Sequence, residues 1–241
     1  MSNLCWCVLA VLMVAAPAAN ASEPVRLLVQ TELQATAVAK NRLQRFLADN
    51  GCKAEIVFGQ GAPGHLSFNP APGPGELLLR AVNRNGTAPV PVWVTRATAG
   101  VRKLAELQGR DVSLVAGADP VAGQQALAAL AQHGIKPTRG QRYEAADYSS
   151  ALGLLLHNNT HASVSELGFV QPFLQSQSLV ISWQGQPIEG AGWYAGPQEA
   201  GAKAAVASCL TALTRLKRQD HRQIFQIFPE WVSRFSAPEP R

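Results

Sequence analysis

The residues of this chain best placed for chemistry are a loop that opens a helix, the polar ends of two strands, and a pair of histidines. Gly117-Ala118-Asp119-Pro120-Val121-Ala122-Gly123 follows a short β-rich run and precedes a helical pattern. A helix start offers unbonded N–H groups and a positive dipole end, so it attracts anions, and the candidate contacts in this loop are Asp119, Val121 and Gly123. The loop carries no hydroxyl, and Asp119 followed by Pro120 reads as an N-cap and first-turn pair. A carboxylate there would fill the donors that an anion needs. Gln30 and Thr31 begin a polar stretch at the C-terminal end of a predicted strand, where open α/β sheets hold ligands. Ser163, Ser165 and Glu166 end another strand. Side chains alternate along a strand, so Ser163 and Ser165 share a face, and of Ser165 and Glu166 only one points inward.

His157 and His161 stand four apart, a spacing that suits a metal on one helix face. Asn158-Asn159 between them reads as a helix end, and no third ligand accompanies them, so no metal is expected. His65 is isolated. Trp183, Trp193 and Tyr194 could stack on a ligand, though such spacings also serve core packing. Arg215, Lys217, Arg218 and Arg222 read as a solvated helix face. The chain has no nucleophile elbow, paired carboxylates, Cys/His pair or Walker-type phosphate loop. Neither an enzyme nor a cofactor is predicted.

The elements that must position these groups follow from periodicity. Residues 25–29 form a strand, and Val38, Leu43, Phe46 and Leu47 mark a helix ending at Gly51, followed by a strand over 53–58. This opening fits a parallel sheet with a right-handed crossover. Residues 60–75 are rich in Pro and Gly, with room for one strand at 65–68. Strands at 77–82 and 90–95 are joined by Asn83-Arg84-Asn85-Gly86, a hairpin sequence. Val101, Leu104 and Leu107 predict a short basic helix closed by Gly109, then a strand over 111–115. A helix with Leu127, Leu130 and Ala131 on one face stops at Gly134. Further helices are predicted at 148–157, 168–175 and 199–216, with strands at 160–165, 179–183 and 187–194. Ile224, Phe225, Phe228, Trp231 and Phe235 form a last amphipathic piece broken at Pro229.

Of the 241 residues 47% are hydrophobic and 15% charged, which implies a well-cored globular chain. The apolar run at 8–16 and Ala19-Asn20-Ala21 before Ser22 match an export signal cleaved after Ala21. That run is shorter than the ~20 residues a membrane span needs. The signal holds no charged side chain, so the net +5 belongs to the exported part. A pI near 9.3 favours anions or membrane surfaces as partners. The basic residues are scattered rather than striped, and nucleic acid is not expected. After cleavage two cysteines remain, Cys52 and Cys209. In an oxidising compartment they form either one disulfide or two small buried apolar side chains.

Residues 92–115 carry a resemblance. Gly100, Val101, Leu104, Leu107, Gly109, Arg110 and Val112 fill a Gly-Val, Leu, Leu, Gly-basic, Val pattern, set between a hydrophobic strand and a small-residue loop that opens a helix. This resembles the periplasmic solute-binding proteins of the phosphate, phosphite and phosphonate transporters, most strongly over 77–135 and traceably to Arg241. Residues 149–165 loosely match a second family run, with His161 where the family has Asp. The family's first-lobe ligand loop is missing unless Phe68-Asn69-Pro70 is its remnant, and its hydroxyl-rich second-lobe loop is replaced by the hydroxyl-free 117–123.

The resemblance implies an α/β, bilobal type 2 periplasmic-binding-protein fold, with two sheets flanked by helices and joined by a two-strand hinge. A signal at 1–21 would precede a first lobe made of 22–94 and 180–241, with the second lobe at 95–179. It implies capture of a small solute, such as an oxyanion, in an interlobe cleft for an ABC-transporter permease. The alternative is a degenerate module serving as a periplasmic sensor or interaction protein.

Overall fold

In the computed structural model, residues 23–30, 36–59, 64–117, 121, 123–197 and 202–239 are described. The proposed signal at 1–21, Thr31, Asp119 and Pro120 lie outside these residues. In chain order the elements are β1 (Val25–Val29), α1 (Thr36–Asp49), β2 (Ala54–Phe58), β3 (Leu66–Asn69), β4 (Leu77–Val82) and β5 (Pro91–Arg96). Then come β6 (Val112–Val115), α2 (Gln124–Gln132), β7 (Arg142–Ala145), α3 (Tyr148–Leu156) and β8 (Ala162–Glu166). The chain continues through α4 (Leu167–Val170), α5 (Phe173–Ser176), β9 (Leu179–Gln184), β10 (Gly192–Ala195), α6 (Lys203–Thr214) and β11 (Arg234–Ser236).

Two sheets result, ordered β11-β4-β10-β3-β1-β2 and β7-β6-β8-β5-β9. In the first, β1 lies parallel to β2 and β3, and β10 runs antiparallel to β3 and β4. In the second, β6 is parallel to β7 and β8, while β5 runs antiparallel to β8 and β9. The chain passes from the first sheet to the second between β4 and β5, and returns between β9 and β10.

Several predicted elements change character. Asn83 to Gly86 does make a turn, with the Gly86 N–H donating to the Asn83 carbonyl at 3.0 Å. It joins no hairpin, because β4 and β5 belong to different sheets. Between Gly100 and Gly109, both with φ near +70°, the chain forms a 3-10 turn at Leu104–Leu107 and no α-helix. Val101, Leu104 and Leu107 repeat every three residues, which is the 3-10 period, and all three are buried. The Glu106 carboxylate accepts from the N–H groups of Arg102 and Lys103, and these bonds hold its pKa below the usual value. In α1 the buried stripe is Ala39, Leu43 and Leu47, and Val38, one residue off that stripe, is 59% exposed. In α2 the buried face is Ala126, Ala129 and Leu130, while Ala131 is exposed. The last amphipathic piece is a 3-10 turn at Phe225–Ile227 followed by β11, which seats Phe235 opposite Ala81. β7 was not anticipated.

Phe68, Trp193, Phe225, Phe228 and Phe235 pack largely edge to face, with ring centroids 4.8–6.1 Å apart, in the core of the first sheet. Trp193 is thus a core residue, and Trp183 packs against the core of the second sheet. Cys52 and Cys209 form a disulfide that ties the end of α1 to α6.

Candidate functional site

The expected contacts separate in space. Gln30 is exposed at the end of β1, with its N–H directed at the Phe68 carbonyl of β3 at 3.4 Å. Ser163 and Ser165 lie across from Val94 and Val92 in the β5–β8 ladder. Paired residues share a sheet face, so both serines point toward the cluster formed by Val92, Val94, Leu152 and Leu155. Ser163 Oγ donates to its neighbour's carbonyl, and Ser165 Oγ is buried without a partner. Glu166 is also fully buried. Its carboxylate accepts from Asn83 Nδ2 at 2.8 Å, the Val90 N–H at 3.2 Å and the Phe169 N–H at 2.8 Å. Those bonds span the first crossing between the sheets, so Glu166 braces that crossing.

The loop before α2 also differs from expectation. The helix begins at Gln124, and its N-cap is Gly123, which supplies no side-chain cap. The Asp119-Pro120 pair is therefore too early in sequence to be the cap and first-turn residue of α2. Val121, from the same loop, is fully buried within the core cluster of the first sheet.

Tyr148, the first residue of α3, joins Val121 in that first-sheet cluster although α3 packs on the second sheet. Val115 and Phe169 flank the same cluster, with the Phe169 ring 5.7 Å from that of Tyr148. These side chains form the contact between the lobes. At its edge lies a feature that local sequence reading missed. Glu230, in the C-terminal segment of the first lobe, reaches the N-terminus of α3. Its Oε2 accepts from the N–H groups of Tyr148 at 2.6 Å and Ser149 at 3.3 Å, and its Oε1 accepts from Ser149 Oγ at 2.7 Å. The next N–H, of Ser150, goes to the N-cap Asp147 at 2.7 Å. Two carboxylates thus fill the first three N–H groups of the helix. The one visible signal was a lone acid, Glu230, between Pro229 and Trp231 in an apolar stretch.

Arg218, expected on a solvated face, is instead part-buried behind Glu230. Its guanidinium donates to the carbonyls of Val232 at 2.6 Å, Pro229 at 2.7 Å and Phe225 at 3.4 Å, and lies over the Phe225 ring. Burial pulls its pKa down to about 10, opposed by the nearby Glu230 carboxylate. Both His65 and His161 accept from backbone N–H groups through Nδ1. Among the described residues no group of three or more His, Cys, Asp or Glu could hold a metal. No helix among them is long and apolar enough to cross a membrane. Open cavities of about 570 Å³, lined by Arg42, Arg45, His221 and Arg222, and about 460 Å³, lined by Arg139, Arg142 and Glu144, are each formed by one lobe alone.

Among solved structures, the chain is similar to a binding protein component of an ABC phosphonate transporter from Pseudomonas aeruginosa. The identity is 12%, covering 90% of this chain and 82% of that one, with a TM-score of 0.52. A Xanthomonas citri protein bound to ATP matches at 11% identity over 90% of this chain and 92% of its own, with a TM-score of 0.59. The same protein bound to chloride ion gives 10% identity, 89% and 92% coverage, and a TM-score of 0.56. These likenesses establish the bilobal type 2 fold. No curated protein matches the chain. The family model described as the periplasmic substrate-binding protein of the phosphonate ABC transporter matches residues 65–241, most of the chain. The chain accordingly belongs to this family of periplasmic solute receptors, which are not enzymes.

Proposed function

We propose that this protein is an exported receptor that takes a small oxyanion between its two lobes and presents it to an ABC-transporter permease. The observation that carries this reading is the seat at the start of α3. There two backbone N–H groups and the Ser149 hydroxyl converge on the two oxygens of one carboxylate, at the line where the lobes meet. The same three donors suit a phosphonate, phosphate or carboxylate group. Gly123, which leaves the start of α2 without a side-chain cap, and Gln30 are further proposed contacts. Thr31 follows Gln30 in sequence and Asp119 lies four residues before Gly123, and Val121, Ser163, Ser165 and Glu166 are proposed to support the walls. In this reading residues 1–21 are removed on export, and the lobes, 22–94 with 180–241 and 95–179, open about the two crossings.

Thermal melts of the secreted protein against phosphate, phosphite, alkylphosphonates, sulfate and small carboxylates test the proposal. A ligand at a hundred times its Kd adds ~2.7 kcal/mol of stability, which raises Tm by several degrees. Failure of every anion to shift Tm would reject solute capture. A second reading, a sensor or interaction module that binds no solute tightly, draws on the same seat. The carboxylate there is the protein's own, and Val121 and Tyr148 fill the interface beside it.

A further inference from the structure

We infer that Glu230 is an intramolecular ligand, a carboxylate from the first lobe that occupies the oxyanion seat of the second and latches the two together. The inference deepens the reading of that seat proposed above. Three observations support it. Both carboxylate oxygens are engaged, and all three donors belong to α3. The segment that presents Glu230 is fixed from behind, because Arg218 binds the carbonyls of Pro229 and Val232 on either side of it. Phe228 and Trp231, which also flank it, are buried in the first-lobe core. The carboxylate is therefore held out toward α3 by a rigid support. Tyr148, whose N–H takes its shortest bond, anchors its own ring in that same core, so the polar latch and the apolar contact close together.

An external oxyanion and Glu230 need the same N–H groups, so they compete. A solute would bind only to the fraction of molecules in which the latch is released, and its apparent affinity falls by that fraction. The acid at this position also sets charge preference: while it stays in the seat, it repels anions and attracts donors. Breaking the latch therefore has two consequences, freer separation of the lobes and easier entry of an oxyanion.

The test compares the wild type with Glu230→Gln and Glu230→Ala by small-angle scattering and by amide exchange at Tyr148 and Ser149, with no solute present. A compact chain of this size has a radius of gyration of ~17 Å. The latch predicts a measurable increase in that radius for Glu230→Ala, a smaller one for Glu230→Gln, and faster exchange at both amides. Ser149→Ala, which removes one donor without touching the first-lobe core, should move the radius in the same direction. Folded variants whose radius and exchange match the wild type would overturn the latch. Inorganic phosphate and methylphosphonate are then titrated into each protein. A latch that opens in scattering while no variant binds an anion leaves the latch standing and removes the oxyanion receptor. Anion binding equal in all proteins, with unchanged radius, removes the latch alone.

Discussion

Arg218 organises the last turn of the chain. Its guanidinium donates to the carbonyls of Phe225, Pro229 and Val232, and the first two also accept from the Phe228 and Val232 N–H groups. Hydrogen bonds to a charged group contribute more than neutral ones. Arg218→Met keeps an apolar chain of similar length but removes the donors, and should cost roughly 2–4 kcal/mol. The midpoint of urea unfolding measures this, and an unchanged midpoint would mean that water and the backbone N–H groups serve these carbonyls equally well. The sequence hid this role because Arg215, Lys217, Arg218 and Arg222 lie close together, and only tertiary folding separates the one that turns inward. Glu230 was hidden for a related reason. It serves amides 82 and 81 positions away, and no local spacing encodes such pairs. The helix start before Gln124 misled in the opposite sense. Asp-Pro is a strong local cap signal, yet the helix starts at Gln124 behind the N-cap Gly123, and the signal says nothing about which of two nearby positions tertiary packing will use.

At the scale of elements, periodicity was a good guide wherever one face is buried. The strands β1, β4, β5, β8 and β9 and the helices α1 and α3 fall where alternation or helical spacing places them, within a residue or two. β7 escaped notice because none of its residues, Arg142 to Ala145, is buried, so it carries no alternating apolar pattern. β11 was read as part of the last amphipathic piece because Phe235 continues the spacing of the preceding aromatics, and its strand state comes from pairing with β4. β10 depends on one glycine. Gly192 has φ +155°, and a Cβ there would meet the Leu79 carbonyl oxygen at 2.1 Å. It sits beside an irregularity in the β4–β10 register. Gly192→Ala should lower stability by roughly 3 kcal/mol through strain and displacement of β4. Differential scanning calorimetry would register this as a lower Tm, whereas a silent substitution would mean that β4 can shift at no cost.

For the molecule as a whole, what matters is how the two sheets are joined. The first crossing is braced by Asn83, which is 2% exposed. Its Oδ1 accepts from the N–H groups of Asn85 and Thr87 and from the Thr87 hydroxyl, and its Nδ2 donates to Glu166. The turn is therefore wired to the end of β8 in the other sheet. Asn83→Ala would leave the buried Glu166 carboxylate short of one donor and release the turn. It should cost about 2–3 kcal/mol and speed amide exchange over 83–90. Exchange unaltered there would show that Val90 and Phe169 alone hold the crossing. The two-crossing plan was legible in the order of predicted strands. Its first turn resembled a hairpin, because Asn-Gly chemistry specifies a reversal of the chain and leaves open which sheet the next strand joins.

The Cys52–Cys209 bond spans 157 positions and encloses every strand of the second sheet. Covalently, the chain between these cysteines is a ring, and the second lobe is a segment of that ring. The first lobe takes its strands from both ends of the chain, so this bond can close only after residue 209 has reached the oxidising side. A protease that cuts an exposed loop such as 158–159 would leave one covalent molecule with its first lobe still stapled. Such damage would pass unseen on a gel unless reductant were added, and the nicked lobe would remain attached and close enough to re-form its contacts.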